Sequence, residues 1–118
     1  MDESAPKVTI TYCTQCNWLL RASWMAGELL QTFATEVGEV ALRPGTGGIF
    51  SIAATGSGAA AAPADRRIDD GTALVWDRKT DGGFPDIVDL KRRVRDVIAP
   101  DLVLGHADRA ATKAEQDS

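Results

Sequence analysis

The sequence predicts an α/β domain in which two helices lie on a four-stranded mixed sheet, in the order β-α-β-β-β-α. Three observations predict it. A strand-like alternation at Lys7–Tyr12 runs directly into a long segment whose apolar residues recur three and four apart. A second segment with that helical spacing stands at Asp86–Ala99. Between the two lie three short β-branched or apolar runs, separated by turns that carry glycine and proline.

In the first strand, Val8, Ile10 and Tyr12 alternate with Thr9 and Thr11. Cys13-Thr14-Gln15-Cys16 follows at once. The first helix is expected over about Cys16–Val37, with Leu19, Ala22, Ala26, Leu29, Leu30, Phe33 and Val37 as its core stripe. Gly38 is placed to end it in a left-handed conformation. Glu39–Arg43 reads as a short strand, Pro44–Gly48 as a loop and Ile49–Ala53 as a third strand. Residues 54–66 are an Ala/Gly-rich stretch, and its segment 54–64 holds no large apolar side chain. It is expected to form a mobile insertion loop outside the core and to be dispensable. Asp70-Gly71 marks a turn, and Thr72–Lys79 is the fourth strand. Asp81-Gly82-Gly83-Phe84-Pro85 breaks the chain before the second helix. Its stripe is Ile87, Leu90, Val94, Val97 and Ile98, with Pro100 as its stop.

The chain is 118 residues long, enough for one domain. Eighteen of its apolar residues are alanine, and only 26 are Leu, Ile, Val or Phe, so the core is small. The folded domain is expected over 7–104, with flexible tails at 1–6 and 105–118. No apolar run approaches the roughly 20 residues a membrane helix needs. The acidic, polar start Met1–Lys7 has no secretory pattern. A net charge of −4 argues against a nucleic-acid surface. The expected setting is the cytoplasm, with neither membrane nor nucleic acid as partner.

Two cysteines and one histidine bound the chemistry. A structural zinc site takes four such ligands, so no metal site is expected within one chain. A Cys13–Cys16 bridge closes too short a loop to add much stability, which points to a chemical use. A strand end followed by a helical turn brings the two sulfurs together, and unpaired N–H groups there favour a thiolate. A thiolate beside a resolving thiol is the working unit of thiol–disulfide exchange. Other readings stay open. The cysteines could be inert and buried. They could also belong to a non-catalytic binding module that senses redox state or carries a soft metal ion. Copper-chaperone domains place a similar motif after their first strand, but Thr11 stands where they have methionine. Only Leu102, Val103 and Leu104 follow Pro100 where those domains have a last strand.

The combination of Tyr12-Cys13-Thr14-Gln15-Cys16, Gly47-Gly48-Ile49-Phe50, Leu74–Lys79 and Gly82-Gly83-Phe84-Pro85 resembles the Rdx family over about residues 7–99. That family contains selenoproteins W, T and H and bacterial relatives with cysteine. The resemblance implies a thioredoxin-like fold and a thiol–disulfide oxidoreductase or redox-responsive protein without a cofactor. It makes Cys13 and Cys16 the catalytic pair. Thioredoxin logic makes Cys13 the nucleophile and is placed first. Selenoprotein logic puts the attacking atom at Cys16, the position of selenocysteine in the animal proteins. Thr14, Gln15, Gly45, Thr46 and Gly47 are the residues expected to meet a client. Leu20 and Trp24 lie off the core stripe and form an expected apolar contact patch. The implied partners are thiol or disulfide client proteins or glutathione, with a homodimer as a further assembly. Trp76 is expected in the core, Phe84-Pro85 at the entry of the second helix, and His106 idle in the tail.

Overall fold

The structure is a computed structural model and describes residues 5–105. The expected tails outside that range, His106 included, lie beyond the described residues. Five strands form one sheet: β1 (Lys7–Cys13), β2 (Glu39–Gly45), β3 (Phe50–Thr55), β4 (Arg67–Asp69) and β5 (Thr72–Asp77). Their spatial order is β2-β1-β3-β5-β4. The β1–β2 pair is parallel, as a crossover through a helix requires, and the other pairs are antiparallel. Among the described residues three α-helices accompany them: α1 (Leu19–Thr32), the single turn α2 (Arg78–Asp81) and α3 (Ile87–Ile98).

Alternation in β1 decides which face is buried. Val8, Ile10 and Tyr12 stand opposite Ala54, Ile52 and Phe50 of β3, and all six are buried in one core with α1 and α3. Thr9, Thr11, Ser51 and Ala53 lie on the other face, which is partly open. From α1 the core takes Ala22, Met25, Ala26 and Leu29, and from α3 Leu90, Val94, Val97 and Ile98. Asp86 caps α3, its carboxylate accepting from the N–H groups of Val88 and Asp89 at 3.1 and 3.3 Å. Trp76 is in the core as expected, and its indole donates to the Gly83 carbonyl at 2.9 Å.

Several expectations change. The sheet has five strands, because the exposed residues Arg67–Asp69 pair with β5 through the Asp70-Gly71 turn. Arg67-Ile68-Asp69 is too short to carry a readable alternation, so only the partner strand shows what it is. The fourth predicted strand stops at Asp77. There the carboxylate accepts from the Thr80 N–H and hydroxyl at 3.0 and 2.7 Å and starts α2. The first helix is shorter than its apolar pattern at both ends. Gly38 does not cap it; its N–H donates to the Pro6 carbonyl, and a Cβ there would meet the Ala5 Cβ at 2.6 Å. Leu19 and Leu30, placed on the core stripe by spacing, are half exposed. Pro44 and Gly45 extend β2 and do not open the loop.

The Ala/Gly-rich stretch is the largest correction. Ala54 belongs to β3, Ser57–Ala61 form a 3-10 turn, and Ala59 is fully buried against α3. The absence of large side chains does not keep this segment out of the core. It lets the backbone lie directly on α3: a Cβ on Gly58 would sit 1.9 Å from the Asp96 carbonyl oxygen. Just beyond, Arg66 holds Asp81 through a two-pronged ion pair in which both side chains are largely buried.

Candidate functional site

Cys13 is the last residue of β1, paired with Gly45 of β2, and its N–H donates to the Ile49 carbonyl at 2.8 Å. The chain then turns through a 3-10 helix, Thr14–Cys16. Asn17 follows in the left-handed region at φ 59°, a conformation asparagine tolerates better than most residues. Only after Trp18 does α1 begin. The cysteine pair therefore sits on its own turn, not in the first turn of the long helix.

That turn brings the two sulfurs to 2.9 Å, with the Cys16 thiol donating to Cys13. Both cysteines are free; Cys13 is 1% exposed and Cys16 only partly covered. The hydrogen bond from Cys16 pulls the Cys13 thiol below its ordinary acidity range. Burial opposes this, and the backbone amides of Gly48, Gln15 and Cys16 add to it. For Cys16 the same bond acts in reverse: donating to Cys13 raises its pKa, and burial and the neighbouring charge raise it further. The Arg78 guanidinium works the other way on Cys16. In the reduced pair these contacts favour negative charge on Cys13 over Cys16.

The loop after β2 closes over this pair. Gly47 and Gly48 both have φ near 75°, a region that disfavours any side chain. Their carbonyls are tied to α2: Arg78 Nε donates to Gly48 at 3.2 Å and Lys79 Nζ to Gly47 at 3.1 Å. Thr14 Oγ1 donates to the Gly45 carbonyl at 3.2 Å. One wall is aromatic. Trp18, Phe50 and Phe84 meet edge to face, with centroids 4.9 to 6.1 Å apart. Arg78 covers Trp18 at 4.9 Å and Arg21 covers Phe84 at 4.1 Å.

Of the residues the sequence singles out, Cys13, Cys16, Thr14 and Gln15 lie on one turn, and Gly45 and Gly47 border it. Thr46 is exposed in the same loop. Leu20 and Trp24 are 81% and 52% exposed on the outer face of α1, so Trp24 is not a core residue. Sequence reasoning misses Gly48, Trp18 and Arg78 as site residues. Arg78 is 62 positions from Cys16, so no local spacing links them; the run Trp76-Asp77-Arg78-Lys79 at a strand end was the available signal. Among the described residues no group of three or more His, Cys, Asp or Glu could hold a metal ion. No helix there is long and apolar enough to cross a membrane.

No curated protein matches the chain. Among solved structures it is similar to a protein from Bordetella parapertussis, at 52% identity and a TM-score of 0.62, over 78% of this chain and 96% of that one. It is also similar to a selenoprotein W-related protein from Vibrio cholerae, at 43% identity and a TM-score of 0.63, over 79% of this chain and 96% of that one. Residues 7–96 match the Rdx family. With the strand–CxxC–helix order, the mixed sheet and that match in place, the chain belongs to the Rdx family, a group associated with redox chemistry.

Proposed function

We propose that the protein is a thiol–disulfide oxidoreductase that works through Cys13 and Cys16. The observation that supports this best is the 2.9 Å contact between the two sulfurs, with three backbone amides favouring charge on Cys13. Inert buried cysteines need no such arrangement.

Acidity and access divide the labour between the sulfurs. Charge is favoured on Cys13, which is buried, whereas Cys16 is the sulfur a client can reach. The proton passes from Cys16 to Cys13 across their hydrogen bond as a client disulfide approaches. The Cys16 thiolate attacks one client sulfur, a mixed disulfide forms, and the first client thiolate leaves and takes a proton from water. Cys13 gives its proton to water and attacks Cys16 Sγ. The second client thiolate leaves, the Cys13–Cys16 disulfide forms, and two electrons have passed to the client. A dithiol or thiol reductant of the cell restores the pair by the reverse exchange.

Equilibration with glutathione buffers, followed by alkylation and mass spectrometry, tests the function. The expected result is one two-electron transition. Both thiols remaining free and alkylatable in the most oxidising buffer would refute the reading. Trapping tests the order of attack: Cys13→Ser should accumulate a mixed disulfide on Cys16, and Cys16→Ser should accumulate little. The opposite pattern would make Cys13 the attacking sulfur.

A further inference from the structure

The two edges of the sheet differ. β4 is a three-residue, exposed strand, too short to template much pairing. β2 is seven residues long, and among the described residues its outer side has no strand partner. Such an edge presents a row of backbone N–H and C=O groups to whatever can pair with them. The same side of the molecule is apolar. The α1 flank that faces α3 carries Glu28, paired with Lys91, and Arg21 over Phe84. Leu19 and Leu30 fall on the opposite flank, toward β2, and both are 47% exposed. Leu42 of β2 is on the helix-bearing face of the sheet, level with Ile10, and 36% exposed.

The sequence of β2 says what fits this edge. Two copies pairing edge to edge in antiparallel fashion are related by a two-fold axis perpendicular to the sheet, so the axis passes through a residue position. Four positions from Val40 to Arg43 are the alternatives, and an axis at Arg43 sets the two Arg43 side chains against each other and Pro44 against Leu42. An axis at Val40 sets Glu39 against Ala41, and an axis at Leu42 sets Arg43 against Ala41 and Pro44 against Val40. Proline lacks the N–H that the new ladder needs. An axis at Ala41 sets Glu39 opposite Arg43 in both directions and Val40 opposite Leu42, and leaves Pro44 outside the five paired residues. We propose that two copies of this chain join through β2, antiparallel across an axis at Ala41, so that Glu39 of each copy faces Arg43 of the other.

The charges choose the register. Exposed opposite-charge pairs are weak, and Glu39 already lies 3.4 Å from Lys7. Affinity comes from the backbone ladder and from covering Leu42, Leu30 and Leu19. The resulting sheet has ten strands, with both α1 helices on the same face. Leu20 and Trp24 remain on the outer surface of α1, free for other contacts.

Sedimentation of the full chain over micromolar to millimolar concentration tests the proposal. The expected result is a concentration-dependent dimer. Arg43→Glu should weaken it on the order of tenfold or more, because two attractive cross-strand pairs become repulsive. Glu39→Arg should do the same, and the doubly exchanged chain E39R/R43E should recover the dimer. Ala41→Cys, in a chain also carrying Cys13→Ser and Cys16→Ser, should cross-link to a covalent dimer on mild oxidation. Opposed residues at that axis have Cα atoms about 4.5–5.5 Å apart, within disulfide reach. Near-UV circular dichroism checks that each variant is folded. A monomer at every concentration overturns the proposal. So does a dimer indifferent to Arg43→Glu, a failure of the exchanged pair to restore it, or an Ala41→Cys chain that stays monomeric under oxidation.

Discussion

Replacing Gly58 by alanine adds one methyl group to the molecule, yet the structure gives it nowhere to go. A Cβ at this position would sit 1.9 Å from the Asp96 carbonyl oxygen, 2.9 Å from its carbon and 3.0 Å from Val97 Cα. These are backbone atoms of α3, so no rotamer change relieves the contact. Gly58 is not among the residues with positive φ, so the alanine backbone itself is unstrained. Only the clash acts. Overpacking of this kind costs about 1–3 kcal/mol. Alanine returns roughly 0.4–1 kcal/mol by restricting the unfolded chain. A net loss of about 1–2 kcal/mol corresponds to a melting temperature lowered by ~5–15 °C for a domain this size. The control is Gly27→Ala on the open face of α1, where no atom lies within 4 Å. Glycine inside a helix is about 0.5–1 kcal/mol worse than alanine, so this variant should melt higher. Thermal and urea melts of the pair decide the matter. If Gly58→Ala melts with the parent chain, the 54–66 segment does not pack on α3, and its expected role as a dispensable loop stands after all.

Other outcomes follow from the same contacts. The Arg66 guanidinium holds the Asp81 carboxyl down at about 2, against an ordinary 3.8. A carboxylate depressed in the fold stabilises it above the unfolded value, and that contribution, on the order of 2 kcal/mol, fades as pH falls from about 4 to 2. Asp81→Asn should therefore lower stability at neutral pH and flatten the acid limb of a pH–stability curve in that window; an unchanged limb would mean the pair contributes nothing. Arg78→Met removes the cation that favours ionised Cys16 and releases Gly48. The pH profile of Cys16 alkylation should move to higher pH, with Arg78→Lys retaining part of the effect, and identical profiles for all three would exclude Arg78 from the site. Trp24→Ala removes a half-exposed side chain and should shift the melt far less than Leu29→Ala, a fully buried truncation worth about 2–5 kcal/mol. Equal losses would show that Trp24 is packed by something beyond the described chain.

Where the sequence is informative, it is so through short-range patterns. Val8, Ile10 and Tyr12 alternate because one face of β1 is buried and the other is not, and Leu90, Val94 and Val97 recur because one side of α3 faces the sheet. The cysteine pair is legible for the same reason: two sulfurs three positions apart in the chain meet on one tight turn. Apolar spacing also misleads. Leu30 fits the stripe of α1 as well as Leu29, but a stripe does not show where the sheet ends, and Leu30 faces past the edge of β2. Likewise the pattern of α1 runs on to Val37, while the backbone turns away after Thr32.

The α/β class, the parallel β1–β2 pair, the two long helices and the tight turn at the cysteines were thus determined by sequence alone, because each rests on residues near one another in the chain. The tertiary structure decided what depends on distant residues. Arg78 reaches the site only because β5 ends beside the loop after β2. Gly48 faces Cys13 only because that loop folds over the turn. β4 is a strand only because β5 lies beside it. The alanine-rich segment shows the difference most clearly: its composition says that it cannot fill a core with side chains, and only the position of α3 shows that its small residues allow the backbone to pack there directly.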